Sequence, residues 1–133
     1  MKTKLLALAA FVLGASASAQ VLAHHSFAAE FDGNTAIQLH GVVTKVEWTN
    51  PHTYFYLDVK DESGKVETWG CEGGAPGALS RRGFKRGDLK IGDTIVVDGY
   101  RAKDGSRLID ARRVTLADGR IVSGASSGDG GPQ

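Results

Sequence analysis

Short runs of alternating apolar and polar residues dominate the chain from residue 37 onward, and turn signals separate them. Residues 53–60 (TYFYLDVK) alternate most clearly, with Phe55, Leu57 and Val59 on one face of the predicted strand. Alternation with a period of two is typical of strands with one buried face, and a helical period is almost absent. The sequence therefore predicts five strands, at residues 37–48, 53–60, 65–72, 94–102 and 107–116.

The segment between the third and fourth predicted strands breaks this pattern. Pro76 near a helix start and Gly83 near a helix end predict one or two helical turns around residues 78–82. Three strands, a short helix and two strands are the order of the oligonucleotide/oligosaccharide-binding (OB) barrel. We therefore predict a mainly all-β fold, a small five-stranded OB-like antiparallel barrel with one short helix between strands three and four. A small antiparallel sandwich shares the turn spacing but explains the single helix less well.

The first predicted strand changes phase in its middle. Ile37 and Leu39 share one parity, whereas Val42 and the alternate residues after it share the other, with Gly41 between the two sets. A glycine at such a point is typical of a bulge or a sharp bend. We expect residues 43–47 to pair both with strand two and with a later strand, as one strand of a barrel must.

The N-terminus has the features of a secretory signal peptide over residues 1–23. Lys2 and Lys4 precede an apolar run at residues 5–15 that is too short to span a bilayer. The small residues that follow allow cleavage after Ala19 or after Ala23. We expect a periplasmic protein with no stable membrane anchor after processing.

The overall charge bears on two classes of partner. The 16 basic residues less Lys2 and Lys4 leave 14, against 15 acidic residues, so the processed chain is close to neutral. It therefore has no overall field that would attract nucleic acid or anionic lipid. The processed chain is divided into an N-terminal segment (24–36), the barrel (37–122) and a Gly/Ser-rich tail (123–133) that is predicted to be disordered.

Three stretches carry a resemblance to a known family. They are HHSFAAEFD (24–32), VTKVEWTNPH (43–52) and GDTIVVDGYRAKDGSRLIDARRV (92–114). The chain resembles a family of small exported bacterial proteins, the domain-of-unknown-function family six-one-five-two, and the Trp-Thr-Asn-Pro-His string is the most specific part of the match. The resemblance implies an exported barrel-like domain and no established activity.

Two adjacent histidines suggest a metal site at the processed N-terminus. If cleavage follows Ala23, His24 becomes the first residue and offers its amine and a ring nitrogen to one ion, a chelate that suits copper(II) or nickel(II). His25 would add a third nitrogen. Cleavage one residue earlier would place His25 third, where the amine, two amides and the imidazole make a square-planar copper site. Cleavage after Ala19 gives neither arrangement. The alternative is that both histidines are solvated surface residues without a ligand.

A third histidine lies at a rigid corner after strand one. Pro51 fixes its own backbone and holds Asn50 extended, so His52 is well placed to add a metal ligand. The alternative is that Asn50 caps a turn and His52 donates a hydrogen bond to a nearby carbonyl. We interpret His40, within strand one, as structural. The candidate metal ligands are thus His24, His25 and His52, with copper as the possible metal.

Aromatic residues on strands two and three suggest a different site. Tyr54 and Tyr56 lie opposite Phe55 in the alternation, and Trp69 on strand three is a third candidate ligand-binding residue. In OB barrels this face binds ligands, and aromatic rings stack on bases or sugars. The alternative is that the N-terminal segment covers the tyrosines.

Two further features have simpler interpretations. Residues 81–90 (RRGFKRGDLK) resemble a small nucleic-acid or phosphate patch. Export and the acidic balance elsewhere argue against nucleic acid and favour a solvated basic loop. Cys71 is the only cysteine, and on a strand we expect it to be buried. No paired carboxylates, complete metal set or catalytic triad can be placed by spacing, so the sequence favours a non-enzymatic binding or accessory protein with an unknown ligand. The metal-binding protein is the alternative, and an enzyme is the weakest hypothesis.

Overall fold

Strands and a few short helices form the computed structural model, which describes residues 27–125 and residue 131. The predicted signal peptide, His24 and His25 lie outside the described residues. A helical turn at residues 27–30, here called the N-terminal turn, precedes the first strand. The strands are β1 (Phe31–Glu47), β2 (Tyr54–Lys60), β3 (Val66–Glu72), β4 (Thr94–Ala102), β5 (Leu108–Thr115) and β6 (Ile121–Ser123). The helix α1 (Pro76–Arg81) and a 3-10 helix (Arg86–Asp88) lie between β3 and β4.

The first five strands form a barrel-like ring. The sheet order is β3-β2-β1-β4-β5-β6, and β3 also pairs with β5, so the ring runs β1-β2-β3-β5-β4 and back to β1. This order, with a helix between β3 and β4, confirms the predicted mainly β, OB-like fold. The β3–β5 pair is parallel, unlike the other pairs, and the short β6 pairs antiparallel with β5.

The long strand β1 belongs to both halves of the ring. Phe31–Val42 pairs with β4, and Gly41–Glu47 pairs with β2. The prediction of one bent strand with two partners is therefore correct, but its bounds were wrong, because residues 43–47 pair in the sheet with β2 alone. The phase change was also misplaced, since the register shifts between Val43 and Lys45. Gly41 serves close packing instead, because a Cβ there would lie 2.8 Å from the Asp58 carbonyl oxygen.

The main core fills the interior of the ring. Phe55, Leu57 and Ile109 are fully buried on the inward faces of β2 and β5. Between β3 and β4, Leu79 of α1 and Phe84 are also fully buried in this core. The Phe84 ring packs edge-on against Phe55 at 6.3 Å and against Trp48 at 5.3 Å. The segment between β3 and β4 thus contributes directly to the core.

A second, smaller cluster lies apart from the main core. Phe27 of the N-terminal turn and Phe31 are buried with Ala102, and the half-buried Tyr100 and Leu108 pack against them. The Phe27 ring lies 5.8 Å from the ring of Phe31 and 5.8 Å from that of Tyr100. These contacts fasten the start of the described chain to β4 and β5.

The beginning of the predicted disordered tail is ordered in the structure. Ser123 is the last residue of β6, and the Gly124 N–H donates to the Arg112 carbonyl at 2.9 Å. The Gly124 carbonyl accepts from the Gly74 N–H at 2.8 Å. The tail boundary predicted at Ser123 is therefore wrong by at least three residues, since Ala125 also accepts a hydrogen bond, from Arg82. Residues 126–130 and 132–133 lie outside the described residues.

Candidate functional site

Polar side chains meet on the outer surface of the ring where β2, β3 and β5 adjoin. Glu72 at the end of β3 is the register partner of Tyr54 on β2. On its other side, Glu72 is the partner of Asp110 across the parallel β3–β5 pair. Partners in register lie on the same face of a sheet. Five residues make up this group, here called the Glu72 cluster: His52, Tyr54, Glu72, Asp110 and Arg112.

Two carboxylates of this cluster are buried. Glu72 is 8% exposed and Asp110 is 7% exposed. A buried charge is costly unless it is paired or hydrogen-bonded, so partners are required. The Arg112 Nε lies 2.5 Å from Asp110 Oδ2, in an ion pair whose two side chains are 12% and 10% exposed. The cluster is thus a largely desolvated group of charges on the outside of a small protein.

Tyr54 supplies a hydrogen-bond donor to this group. Burial raises the pKa of its phenol well above the ordinary value of 10.0, and the neighbouring Glu72 carboxylate raises it further. Glu72 also accepts a hydrogen bond from the phenol, which stabilises the protonated form. Tyr54 therefore stays neutral and helps to satisfy Glu72.

His52 lies at the edge of the cluster, in the loop between β1 and β2. The loop is held against the end of β3, because the backbone of Thr53 bonds to Gly73 at 2.8 Å and to Gly74 at 3.0 Å. His52 Nδ1 lies 3.3 Å from the Gly73 carbonyl oxygen and 3.4 Å from Glu72 Oε1. Both neighbours are acceptors, so Nδ1 carries the proton. In the neutral ring, Nε2 then has a free lone pair.

The contact with the Gly73 carbonyl agrees with the His52 part of the predicted alternative, a hydrogen bond to a nearby carbonyl. It does not exclude metal binding. A histidine that binds a metal usually donates its other ring N–H to a carboxylate or a backbone carbonyl, which fixes the tautomer and the ring orientation. Glu72 and Gly73 stand in those positions, and the imidazole is 38% exposed.

A β-bulge explains why Arg112 reaches the cluster. Asp98 pairs with Arg113 and Gly99 pairs with Ala111, so Arg112 is the extra residue on β5. The bulge turns two adjacent arginines away from the core. The Arg112 guanidinium lies 4.9 Å from the Phe27 ring centre, which links the cluster to the N-terminal turn.

The N-terminal turn extends to the same region. The charge of Glu30, at its end, contributes to the raised pKa of Tyr54. His25 is two residues before Phe27 in the sequence, and two extended residues span at most about 7 Å. The predicted ligands His24 and His25 lie outside the described residues, but the chain that carries them joins a segment fixed beside the cluster.

The three predicted aromatic ligand-binding residues do not share one face. Tyr54 and Tyr56 point outward, as predicted. Trp69 is the register partner of Leu57 and packs against the main core, so it lies on the opposite face of the sheet. Tyr56 donates to Glu47 Oε2 at 3.0 Å, and the Lys45 ammonium lies 5.2 Å from its ring centre. A platform of three rings is therefore absent from the described surface of β2 and β3.

Cys71 was predicted to be buried, and His40 was interpreted as structural. Cys71 is fully buried, as predicted, and burial raises the pKa of its thiol far above the ordinary value of 9.0. It is therefore a core residue with little thiolate character. His40 lies on the exposed face of β1, where its Nε2 is 2.8 Å from Gln38 Oε1.

Sequence reasoning missed three residues of the cluster: Glu72, Asp110 and Arg112. The strand-five run RLIDARR carried a signal, since Asp110 and Arg112 alternate with Ile109 and Ala111 and so belong to an outward face. Nothing in the sequence indicated that Asp110 and Arg112 lie close to Glu72, because this proximity depends on the β3–β5 pair that closes the ring.

Among residues 27–125 and residue 131, no three His, Cys, Asp or Glu side chains form a group that could hold a metal ion. His52 and Glu72 make only a pair, and a complete site requires ligands from outside the described part of the chain. Within that part, no helix is long and apolar enough to cross a membrane.

Fold and site together define a small β-ring protein of OB-like strand order. Its ring carries a cluster of ionic side chains on the outward face, and the two carboxylates of that cluster are buried. Residues 12–109 match a model described as "Family of unknown function (DUF6152)", and the chain belongs to this family. A search of the curated proteins finds no match.

Proposed function

We propose that the protein is an exported, non-enzymatic binding protein whose ligand is a transition-metal ion. The metal that we propose is copper(II). The proposed ligands are His52 and the two N-terminal histidines, His24 and His25. The observation that carries the proposal is the environment of His52. Its Nδ1 faces the Gly73 carbonyl and the Glu72 carboxylate, and this arrangement leaves Nε2 as a ligand.

The N-terminal turn supports the choice of the remaining ligands. Phe27 is 7% exposed and packs against Tyr100 and Arg112 beside the Glu72 cluster. If processing occurs after Ala23, His24 carries a free amine and an imidazole three residues before Phe27 in the sequence. Nitrogen ligands of this kind suit copper(II), and the nearby carboxylates would offset part of the charge of a divalent ion.

Isothermal titration with copper(II) tests the proposal on protein that begins at His24. We expect one ion to bind, and binding to weaken as the pH falls, because protons compete for the amine and the imidazoles. His52→Ala should lower the affinity about tenfold or more. His40→Ala is the matched control, because His40 also lies on an exposed surface, and it should leave the affinity within about twofold.

A second comparison tests the amine. Protein whose α-amine at His24 is acetylated should bind copper more weakly, because the amine can then no longer act as a ligand. Equal affinity in the two forms would show that the amine is not a ligand. If His52→Ala leaves the copper affinity unchanged, His52 is not a ligand and the contacts of its Nδ1 have only a structural role. Mass spectrometry of the secreted protein tests the processing itself, and an N-terminus at Gln20 would contradict it.

A further inference from the structure

The connection between β3 and β4 carries a concentration of positive charge. Five basic residues are exposed there: Arg81, Arg82, Lys85, Arg86 and Lys90. None forms a salt bridge with another residue of the described part of the chain. The basic residues elsewhere are often paired, as Arg107 is with Glu67 at 2.7 Å and Arg113 with Asp98 at 3.0 Å. Among the described residues, ion pairs therefore do not neutralise these five cations, although the whole chain is nearly neutral.

The acidic residues of the same connection are already engaged. Asp88 accepts from the Lys85 N–H at 2.7 Å and from Arg120 at 2.6 Å, and its side chain is 16% exposed. Asp93 accepts from the Lys90 N–H at 3.3 Å. Both carboxylates are thus tied to the backbone of the connection, and they leave the lysine and arginine head groups to the solvent.

An aliphatic side chain projects from the middle of this charge. Ile91 is 75% exposed. The other large apolar side chains that are exposed in the described part of the chain are less so: Val42, Val66 and Ile121. It occupies a tight turn in which the Asp93 N–H donates to the Lys90 carbonyl at 3.0 Å, with Gly92 at a φ of 97°. Arg86, Lys90 and Ile91 line one shallow groove of about 620 Å³, so they share a face.

We propose that this face, formed by Arg86, Lys90 and Ile91 with the flanking basic residues, makes reversible contact with an anionic phospholipid bilayer. Lysine and arginine head groups are attracted to anionic lipid head groups, and an exposed aliphatic side chain can enter the interface between them. A nucleic acid fits the face less well. Single strands bind through exposed aromatic rings, and Phe84, the only ring within residues 81–91, is fully buried.

Sedimentation with lipid vesicles tests this contact. The experiment uses the protein in its naturally processed form. The vesicles contain either phosphatidylglycerol mixed with phosphatidylcholine or phosphatidylcholine alone. We expect binding to the anionic vesicles only, and we expect it to weaken as salt is added. Lys90→Glu should weaken it about tenfold, whereas Lys60→Glu, the same charge change at the far end of β2, should change it less than about twofold.

A second matched pair tests the aliphatic contact. Ile91→Ser should weaken binding about fivefold or more, and Ile121→Ser, at another exposed isoleucine, should have little effect. Equal binding to both vesicle types, or equal losses within either matched pair, would overturn the proposal. The proposal would also be overturned if the protein bound a single-stranded oligonucleotide more tightly than the anionic vesicles and Ile91→Ser left that binding unchanged. That result would favour nucleic acid as the partner. The proposal is independent of the metal site, because no variant in this test alters a proposed ligand.

Discussion

At the scale of single residues, backbone packing leaves no room for a side chain at Gly99. This residue is buried in β4 beside the bulge on β5 that turns Arg112 outward. A Cβ on Gly99 would lie 1.9 Å from the Asp110 carbonyl oxygen and 3.0 Å from a side-chain carbon of Ile109. The close approach of the two backbones is therefore a condition for the geometry of the Glu72 cluster.

Gly99→Ala should lower the free energy of unfolding by about 1–3 kcal/mol, because the strands must separate to accommodate the methyl group. Urea denaturation measures the change. Gly87→Ala is the control, since a Cβ at Gly87 would meet no atom within 4 Å, and it should stay within about 0.5 kcal/mol of the parent protein. Equal stability of the two variants would contradict the packing argument.

At the scale of elements, β6 and the two residues after it connect three parts of the molecule. The backbone of Gly124 joins β5 at Arg112 to the end of the β3 region at Gly74. The Ala125 carbonyl accepts from Arg82 Nη1 at 2.7 Å, beside the end of α1. Three residues that look like the beginning of a flexible tail thus contribute hydrogen bonds to three other elements.

Two truncations separate this contribution from that of the remaining tail. A chain that ends at Val122 should be less stable than one that ends at Ala125 by about 2 kcal/mol, since it loses three hydrogen bonds of about 0.5–1.5 kcal/mol each. Thermal and urea unfolding of both chains measure the difference. Equal stability would show that residues 123–125 have the role expected of a solvated tail.

At the scale of the whole molecule, the two apolar clusters have different roles. The main core fills the ring and includes Phe55, which is fully buried. The second cluster includes Phe27 and fastens the N-terminal turn to β4 and β5. Because the ring closes through backbone pairing around the main core, we expect its stability to depend mainly on that core.

Phe55→Ala should therefore cost about 3–5 kcal/mol, as expected for a cavity in a packed core. Phe27→Ala should cost less, about 1.5–3 kcal/mol, because it removes buried apolar area without opening the ring. Urea denaturation compares the two variants, and the circular dichroism spectrum of Phe27→Ala should remain that of the parent. A larger loss in Phe27→Ala than in Phe55→Ala would show that the ring requires the N-terminal turn.

The sequence by itself determined the features that depend on local periodicity. Alternation placed the five main strands and the inward Phe55 and Leu57, because successive side chains of a strand point to opposite faces. Pro76 and Gly83 located the helical segment, because each restricts or frees the backbone where it stands. The same local reasoning singled out Tyr54 and His52, which the structure places beside Glu72.

Only the tertiary structure decided which residues meet. The register between β2 and β3 put Trp69 opposite Leu57 and away from the tyrosines, and a shift of one residue would reverse that side. Glu72 and Asp110 are adjacent because β3 and β5 close the ring, a pairing between segments that are far apart in the chain. The contact between His52 and Glu72 likewise requires the β1–β2 loop to lie against the end of β3. Each of these contacts depends on interactions between separate strands, and local periodicity does not encode them.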